Sequence, residues 1–391
     1  MIKKYEKFQV DLLDSRDNEI ATIGMVKSGV LDYSIFDVIR TGGNIEIATH
    51  KDATQVNWLN SRIRIYYIED SEPIFTSETE FTQPEKTRRS LGIFITSTPV
   101  YEYSDTGITA KVELYDKLII PSMDNHANTY SVPKGGKILE AAIVVLESCG
   151  VSRNDMLIDW SKASSTVSDA LVWEAGTSKL QIINDLLDVI KYRSLWVDVN
   201  GKFRFTKWVK PSDRALEYVF KDDNSSIYLP NFTLEQDFYD IPNHLVAISK
   251  TSGEKPAYSY VAVNNSPTNP FSYVNRGRKI VRVDRNVDVT ETAEGVEESE
   301  SVRRARIMAE LKVHAERELL EAITVSETVV IKHVLVPDLY LTDRVTFENQ
   351  TNGIMEKSYT VTKMQINLSA GALVETTLRE VLDVEEFDTV E

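Results

Sequence analysis

Residues 177–208, TSKLQIINDLLDVIKYRSLWVDVNGKFRFTKW, leave few options for how this chain can fold. Leu180, Ile183, Leu187 and Ile190 recur at helical spacing, and Ile182 and Leu186 widen them into a broad apolar stripe. Ser178 stands where an N-cap belongs, with Gln181 three residues on to complete a capping box. Tyr192 and Arg193 end the periodic run. Residues 195–199 and 202–208 then alternate at period two around Asn200-Gly201. That dipeptide predicts a type I′ hairpin, in which both central residues take positive φ. One helix and one hairpin are not stable alone in water, so this segment has to pack against a further sheet or helix.

The rest of the chain supplies strands on both sides. Residues 1 to about 118 show almost no helical periodicity. Residues 8–12, 44–49, 62–66, 91–96 and 109–115 read as short strands, the pattern of a sandwich or small barrel. Residues 69–89 are polar, carry Pro73 and Pro84, and read as a mobile excursion between two strands. Residues 119–210 are mixed, and 137–148 are apolar almost all round, which predicts a helix buried on most sides. Strand patterns return from about Tyr218, at 245–249 and 258–263. Residues 264–277 read as a loop and 284–300 as a polar, acidic stretch. A helix is predicted from Ser301 to about Ala322, with Val302, Ala305, Met308, Ala309, Ala315, Leu319 and Ala322 on one side. Glu297, Glu298 and Glu300 lie at its positive end. Four more strands follow, at 328–333, 344–348, 358–368 and 372–379, the last two joined through Ser369-Ala370-Gly371. The acidic tail 383–391 reads as frayed.

Composition narrows function by exclusion. With 391 residues the chain is long enough for two to four cores, and a hydrophobic content of 42% fits a folded protein. A net charge of −16 argues against non-specific binding to nucleic acid or anionic membrane. There is no apolar leader, and the longest apolar run, 141–146, is too short to span a bilayer, so a soluble protein is expected. The single cysteine, Cys149, rules out an intrachain disulfide and reads as a small core residue.

No chemistry stands out. His50, His126, His244, His314 and His333 are never three to five apart and none neighbours Cys149, so no zinc spacing exists. Nucleophile-elbow, zinc-protease and phosphate-loop motifs are missing, and Gly42-Gly43 and Gly135-Gly136 read as turns. Asp198-Val199-Asn200-Gly201 opens like a calcium loop, but no acidic ligand follows Lys202-Phe203-Arg204-Phe205, so the hairpin reading prevails. No residue is named as catalytic, cofactor-binding or metal-ligating. The 60 acidic residues leave open an unrecognised carboxylate pair of the glycosidase type. The scattered aromatics fit packing better than a carbohydrate platform.

Residues 57–67, 91–94, 112–118, 177–204 and 240–246, taken in order, resemble the trimeric tail-tube hub proteins of contractile and long-tailed phages. Asn57-Trp58-Leu59-Asn60-Ser61-Arg62-Ile63-Arg64-Ile65-Tyr66-Tyr67 with Leu91-Gly92-Ile93-Phe94 is similar to that family's first barrel. Val112-Glu113-Leu114-Tyr115-Asp116-Lys117-Leu118 is similar to its handover to the next domain. Residues 177–204 resemble the family's middle, and Asp240-Ile241-Pro242-Asn243-His244-Leu245-Val246 its return into the second barrel. The resemblance runs to about residue 380. It implies a mainly β chain with α+β insertions, built on two similar β-barrel tube domains with peripheral α+β parts. The corresponding division is a first barrel at 1–118, an α+β middle domain at 119–215, and a discontinuous second barrel at 216–250 and 323–382. An insertion at 251–322 and an acidic tail at 383–391 complete it. The implied assembly is a homotrimeric, pseudo-sixfold ring in the virion, built in the host cytoplasm. Its partners are the tail tube or distal tail proteins and tip, spike or fibre proteins, with DNA only in transit. It implies no enzyme activity and no cofactor; appended lytic activity of the kind many relatives carry is expected on another protein. The alternatives are a receptor- or carbohydrate-binding tail protein and a cell-wall glycosidase.

Overall fold

The computed structural model describes residues 4–49, 57–71, 74–75, 81–82, 86–104, 107–167, 170–236, 239–249, 257–287, 289, 299–323, 327–369, 371 and 373–381. His50, Pro73, Pro84, Glu297, Glu298, Ala370 and the tail 383–391 lie outside them.

The first strand-rich region forms β1 (Lys4–Leu13), β2 (Glu19–Ser34), β3 (Thr41–Thr49), β4 (Arg62–Ser71), β5 (Lys86–Thr96), β6 (Val100–Ser104) and β7 (Gly107–Asp116). Antiparallel pairing runs β1–β4–β5–β7–β3–β2, and β2 pairs back onto β1. The excursion expected over 69–89 is partly built into the sheet: β4 and β5 extend into it from either end, pairing Glu69 with Thr87 and Asp70 with Lys86. Gly42 and Gly43 are not in a turn but inside β3. A Cβ on Gly43, whose φ is +150°, would lie 2.0 Å from the Val30 carbonyl oxygen, so the glycine is what lets β2 and β3 approach.

The mixed block forms α1 (Ile138–Glu147), β8 (Met156–Ile158), α2 (Lys179–Val189), β9 (Trp196–Val197) and β10 (Phe203–Phe205). α1 packs on α2 around Leu139, Ile143, Leu146, Ile183 and Leu187. Burial of α1 is one-sided to the extent that Val144 remains 49% exposed. β10 lies between β9, antiparallel, and β8, parallel. Ser178 caps α2 as expected, its hydroxyl accepting from the Gln181 amide at 3.2 Å.

β11 (Leu216–Phe220) and β12 (Thr233–Glu235) rejoin the large sheet. β13 (His244–Ser249), expected there too, instead pairs with β14 (Ser259–Val263) and lies parallel to β15 (Val281–Val287). β15 falls partly in the stretch read as merely polar. This small sheet packs on α3 (Glu300–Ile323). The buried stripe of α3 is Ile307, Leu311, Ala315, Leu319 and Ile323, one residue in four. Only Ala315 and Leu319 of the predicted face belong to it, and Val302 is 57% exposed.

β16 (Thr328–His333), β17 (Arg344–Asn349), β18 (Ile354–Asn367) and β19 (Val374–Glu380) complete the sheet. β18 pairs with β17 and β19, β19 with β16, β16 with β12, and β11 runs parallel to β17. β18 also pairs with β2, residue 367 opposite 30 and 363 opposite 34. Both strand-rich regions therefore share one 13-stranded sheet and one core, where Ile63, Ile65 and Val112 lie in the same cluster as Phe347, Tyr359 and Val361. The chain is mainly β with large antiparallel sheets. No helix among the described residues is long and apolar enough to cross a membrane.

Candidate functional site

The groups weighed from the sequence do not assemble. Among the described residues no three His, Cys, Asp or Glu side chains could hold a metal ion. His126 bonds to the Asn128 carbonyl, His244 to the Asn243 side chain, and His314 lies 3.5 Å from Asp284. His333 is buried between the Val334 carbonyl and the Thr376 hydroxyl. Cys149 is half-buried, and burial pushes its thiol up to about 12, which makes it a poor nucleophile at neutral pH.

The calcium-like segment is a turn. The Asp198 carboxylate accepts the amides of Asn200 and Lys202 through Oδ1, at 2.9 and 3.0 Å, and Arg204 Nε through Oδ2 at 2.7 Å. Those bonds occupy the oxygens that an ion would need. Only Gly201 takes positive φ, +74°. The turn is therefore not type I′: the Asp198 side chain holds the loop and leaves a single left-handed residue next to the strand. This turn seats the mixed block on the first sheet. Lys117 Nζ, 2% exposed, donates to the Gly201 carbonyl at 2.8 Å and to Asp17 Oδ2 at 2.7 Å, and Arg62 pairs with Asp17 at 2.6 Å. Ser90 Oγ donates to the Val199 carbonyl at 2.7 Å.

Beside this seam lies a cavity of about 390 Å³. Its walls draw on distant parts of the chain, among them Tyr33 and Arg40; Asp116; Arg193, Trp196, Asp198 and Arg204; and Tyr340 and Asp343. Asp116, at the end of β7, accepts the Thr41 amide at 2.9 Å and the Leu118 amide at 2.8 Å. Burial pushes its carboxyl up to about 7 against those two bonds and the nearby Arg40. Burial likewise raises Asp343 to about 6, although its Oδ2 accepts the Tyr340 amide at 2.7 Å. Arg193 is pushed down to about 10, first by burial and then by Arg40 and Arg214. Arg214 spends its donors on the Val209 and Thr342 carbonyls. Because the folded Asp116 carboxyl binds its proton more tightly than the unfolded one, its contribution to stability is present below about pH 4 and is lost as pH rises through about 7. A carboxyl ¹³C titration of the whole chain should show a midpoint near neutrality that disappears in Asp116→Asn; a midpoint in the ordinary carboxylate range contradicts this environment.

The sheet topology, with its two strand-rich regions and α+β excursions, recurs in solved structures of tail proteins. Three solved structures share it over nearly their whole length. The tail protein from Neisseria meningitidis MC58 is 12% identical with a TM-score of 0.61, covering 96% of this chain and 97% of that one. The 43 kDa tail protein of prophage MuSo2 from Shewanella oneidensis is 12% identical with a TM-score of 0.58, covering 95% and 98%. The prophage tail protein gp18 from Listeria monocytogenes EGD-e is 12% identical with a TM-score of 0.50, covering 95% and 94%. What is shared at that identity is the fold. No family model matches the chain, and no curated protein matches it.

Proposed function

We propose that this chain is the structural hub of a phage tail tip or baseplate: a homotrimer that continues the sixfold tail tube, docks tip, spike or fibre proteins, and encloses a channel for DNA. The carrying observation is the fold likeness over at least 95% of the chain to three tail proteins, two of them from prophages. The strand circuit from β1 through β4, β5, β7 and β3 to β2 supports a first barrel at 1–118. The strands joined around β18 support a second, built from about 216–236 and 327–381. The middle domain then lies between them at 119–215. The small sheet with α3 forms the peripheral insertion, which takes β13 from the second barrel.

Two like barrels in each of three chains give six similar wall units. Three chains carry −48, three times −16. A duplex slides past a wall only if phosphates find few Lys and Arg partners there. Imaging of the assembled particle should show a threefold ring whose channel is acidic or neutral. A monomer or dimer in the particle, or a channel lined with Lys and Arg, contradicts the reading.

One observation favours a second reading, a glycosidase: Asp116 and Asp343, both with raised carboxyls, line the same cavity. Against it, each oxygen of Asp116 already accepts a backbone amide, and those bonds fix the group and favour its charged form over a proton-donating acid. A zymogram on purified cell-wall material should show no clearing. Clearing that is lost in Asp343→Asn would establish the enzyme.

A further inference from the structure

We propose that the junction cavity binds a small oxyanion, clasped between Arg40 and Arg193. The inference is independent of the tail assembly. The cavity, about 390 Å³, falls in the size range of small-ligand pockets, about 300–1,000 Å³. Two guanidinium groups share its wall and repel each other; Asp116 attracts Arg40 and Asp343 attracts Arg193, but the hydrogen bonds of the carboxylates around them go to other groups. Asp116 gives its oxygens to the Thr41 and Leu118 amides. Asp198 gives its own to the Asn200 and Lys202 amides and to Arg204. Asp343 accepts the Tyr340 amide. Among the described residues, neither Arg40 nor Arg193 makes an ion pair within 4.0 Å. Arg40 Nη2 makes one long bond, 3.4 Å, to the Ser194 carbonyl. Arg193 lays its guanidinium on the Trp196 ring, 5.1 Å from the centroid.

Each guanidinium has five N–H donors in a planar fork, so both keep donors to spare. An oxyanion offers two or more oxygens to two forks at once and relieves the repulsion between them. Both guanidinium groups are partly buried, so screening by salt is reduced there, which strengthens the attraction. Near neutrality Asp116, raised to about 7, is partly protonated, which reduces competition from that carboxylate. The common chemistry is that of phosphate and of a dicarboxylate, and the test separates them.

The test is a thermal-shift titration of the full chain with inorganic phosphate and, in a second arm, malonate, each against sodium chloride at matched ionic strength. A saturable rise in midpoint is expected, larger for tetrahedral or planar anions according to which the cavity prefers. Arg40→Gln and Arg193→Gln should weaken the apparent affinity about ten-fold or more, while Lys363→Gln, on the exposed side of β18, leaves it unchanged. Chloride-like behaviour of both anions, or equal responses in wild type and the arginine variants, overturns the proposal. If neither arginine variant folds, calorimetric titration of the wild-type chain decides: one saturable site per chain supports it, and no saturable heat overturns it.

Discussion

Gly201→Val should lower the stability of the chain by about 2–5 kcal/mol. The left-handed backbone at φ +74° costs a residue with a Cβ about 1–2 kcal/mol. The new Cβ would also lie 2.8 Å from Ile93 Cδ1, and forcing extra atoms into a packed site adds about 1–3 kcal/mol. Ile93 is only 1% exposed but borders the junction cavity, so its Cδ1 can relieve part of the crowding, and the lower half of the range is the expected one. Gly201→Ala keeps the backbone penalty but only part of the crowding, and should fall between wild type and valine. Denaturant unfolding followed by far-UV circular dichroism measures the difference. Equal midpoints for all three proteins would reject the turn geometry.

Lys117→Ala should cost about 3 kcal/mol, toward the low end for stripping one partner from a buried ion pair. The amine holds together Asp17, the Gly201 carbonyl and, through its position 5.4 Å over the ring, Phe203. Asp17 keeps Arg62 after the change, which is why the cost is not larger. The Gly201 carbonyl loses its donor, and a void opens between the first sheet and the mixed block. Lys117→Met fills that void without restoring the bonds, so it should recover the packing part alone. Because Lys117 and Gly201 touch, the double variant Lys117→Ala with Gly201→Val should lose less than the two single losses added together. Strict additivity would mean that the seam is not one unit.

Where periodicity was strong, the sequence predicted the elements well. α2 with its Ser178 cap, β16 and the strands of the last region lie within a few residues of expectation. Tertiary pairing accounts for most of the differences. β2, sixteen residues long, was not recognised, because Gly24 and Gly29 and the polar residues between its apolar ones break the alternation that a lone strand shows. It is held by β1, β3 and β18 together. The α3 face was misjudged because alanines lie on more than one side of that helix; the stripe that wins is the one carrying Ile307, Leu311 and Ile323, the larger side chains. The hairpin at Gly201 was legible as a turn but not as a type, since the choice rests on the Asp198 carboxylate. Nothing in the sequence marked the junction cavity. Arg40, Asp116, Arg193 and Asp343 belong to four unrelated stretches, and their charges are perturbed by burial that only the fold creates.

The seam between β2 and β18 also sets a clock. Asp32 and Gln365 meet across it, 333 residues apart in the chain. A ribosome adding about 5–20 residues per second needs roughly 17–70 s to make the second after the first. For that interval residues 30–34 of β2 can pair with β3 but have no β18 to cover their other side, and an uncovered strand edge is an invitation to pair with a stranger. The late arrival of β18 makes synthesis, rather than the finished protein, the stage at which this chain is most exposed to aggregation.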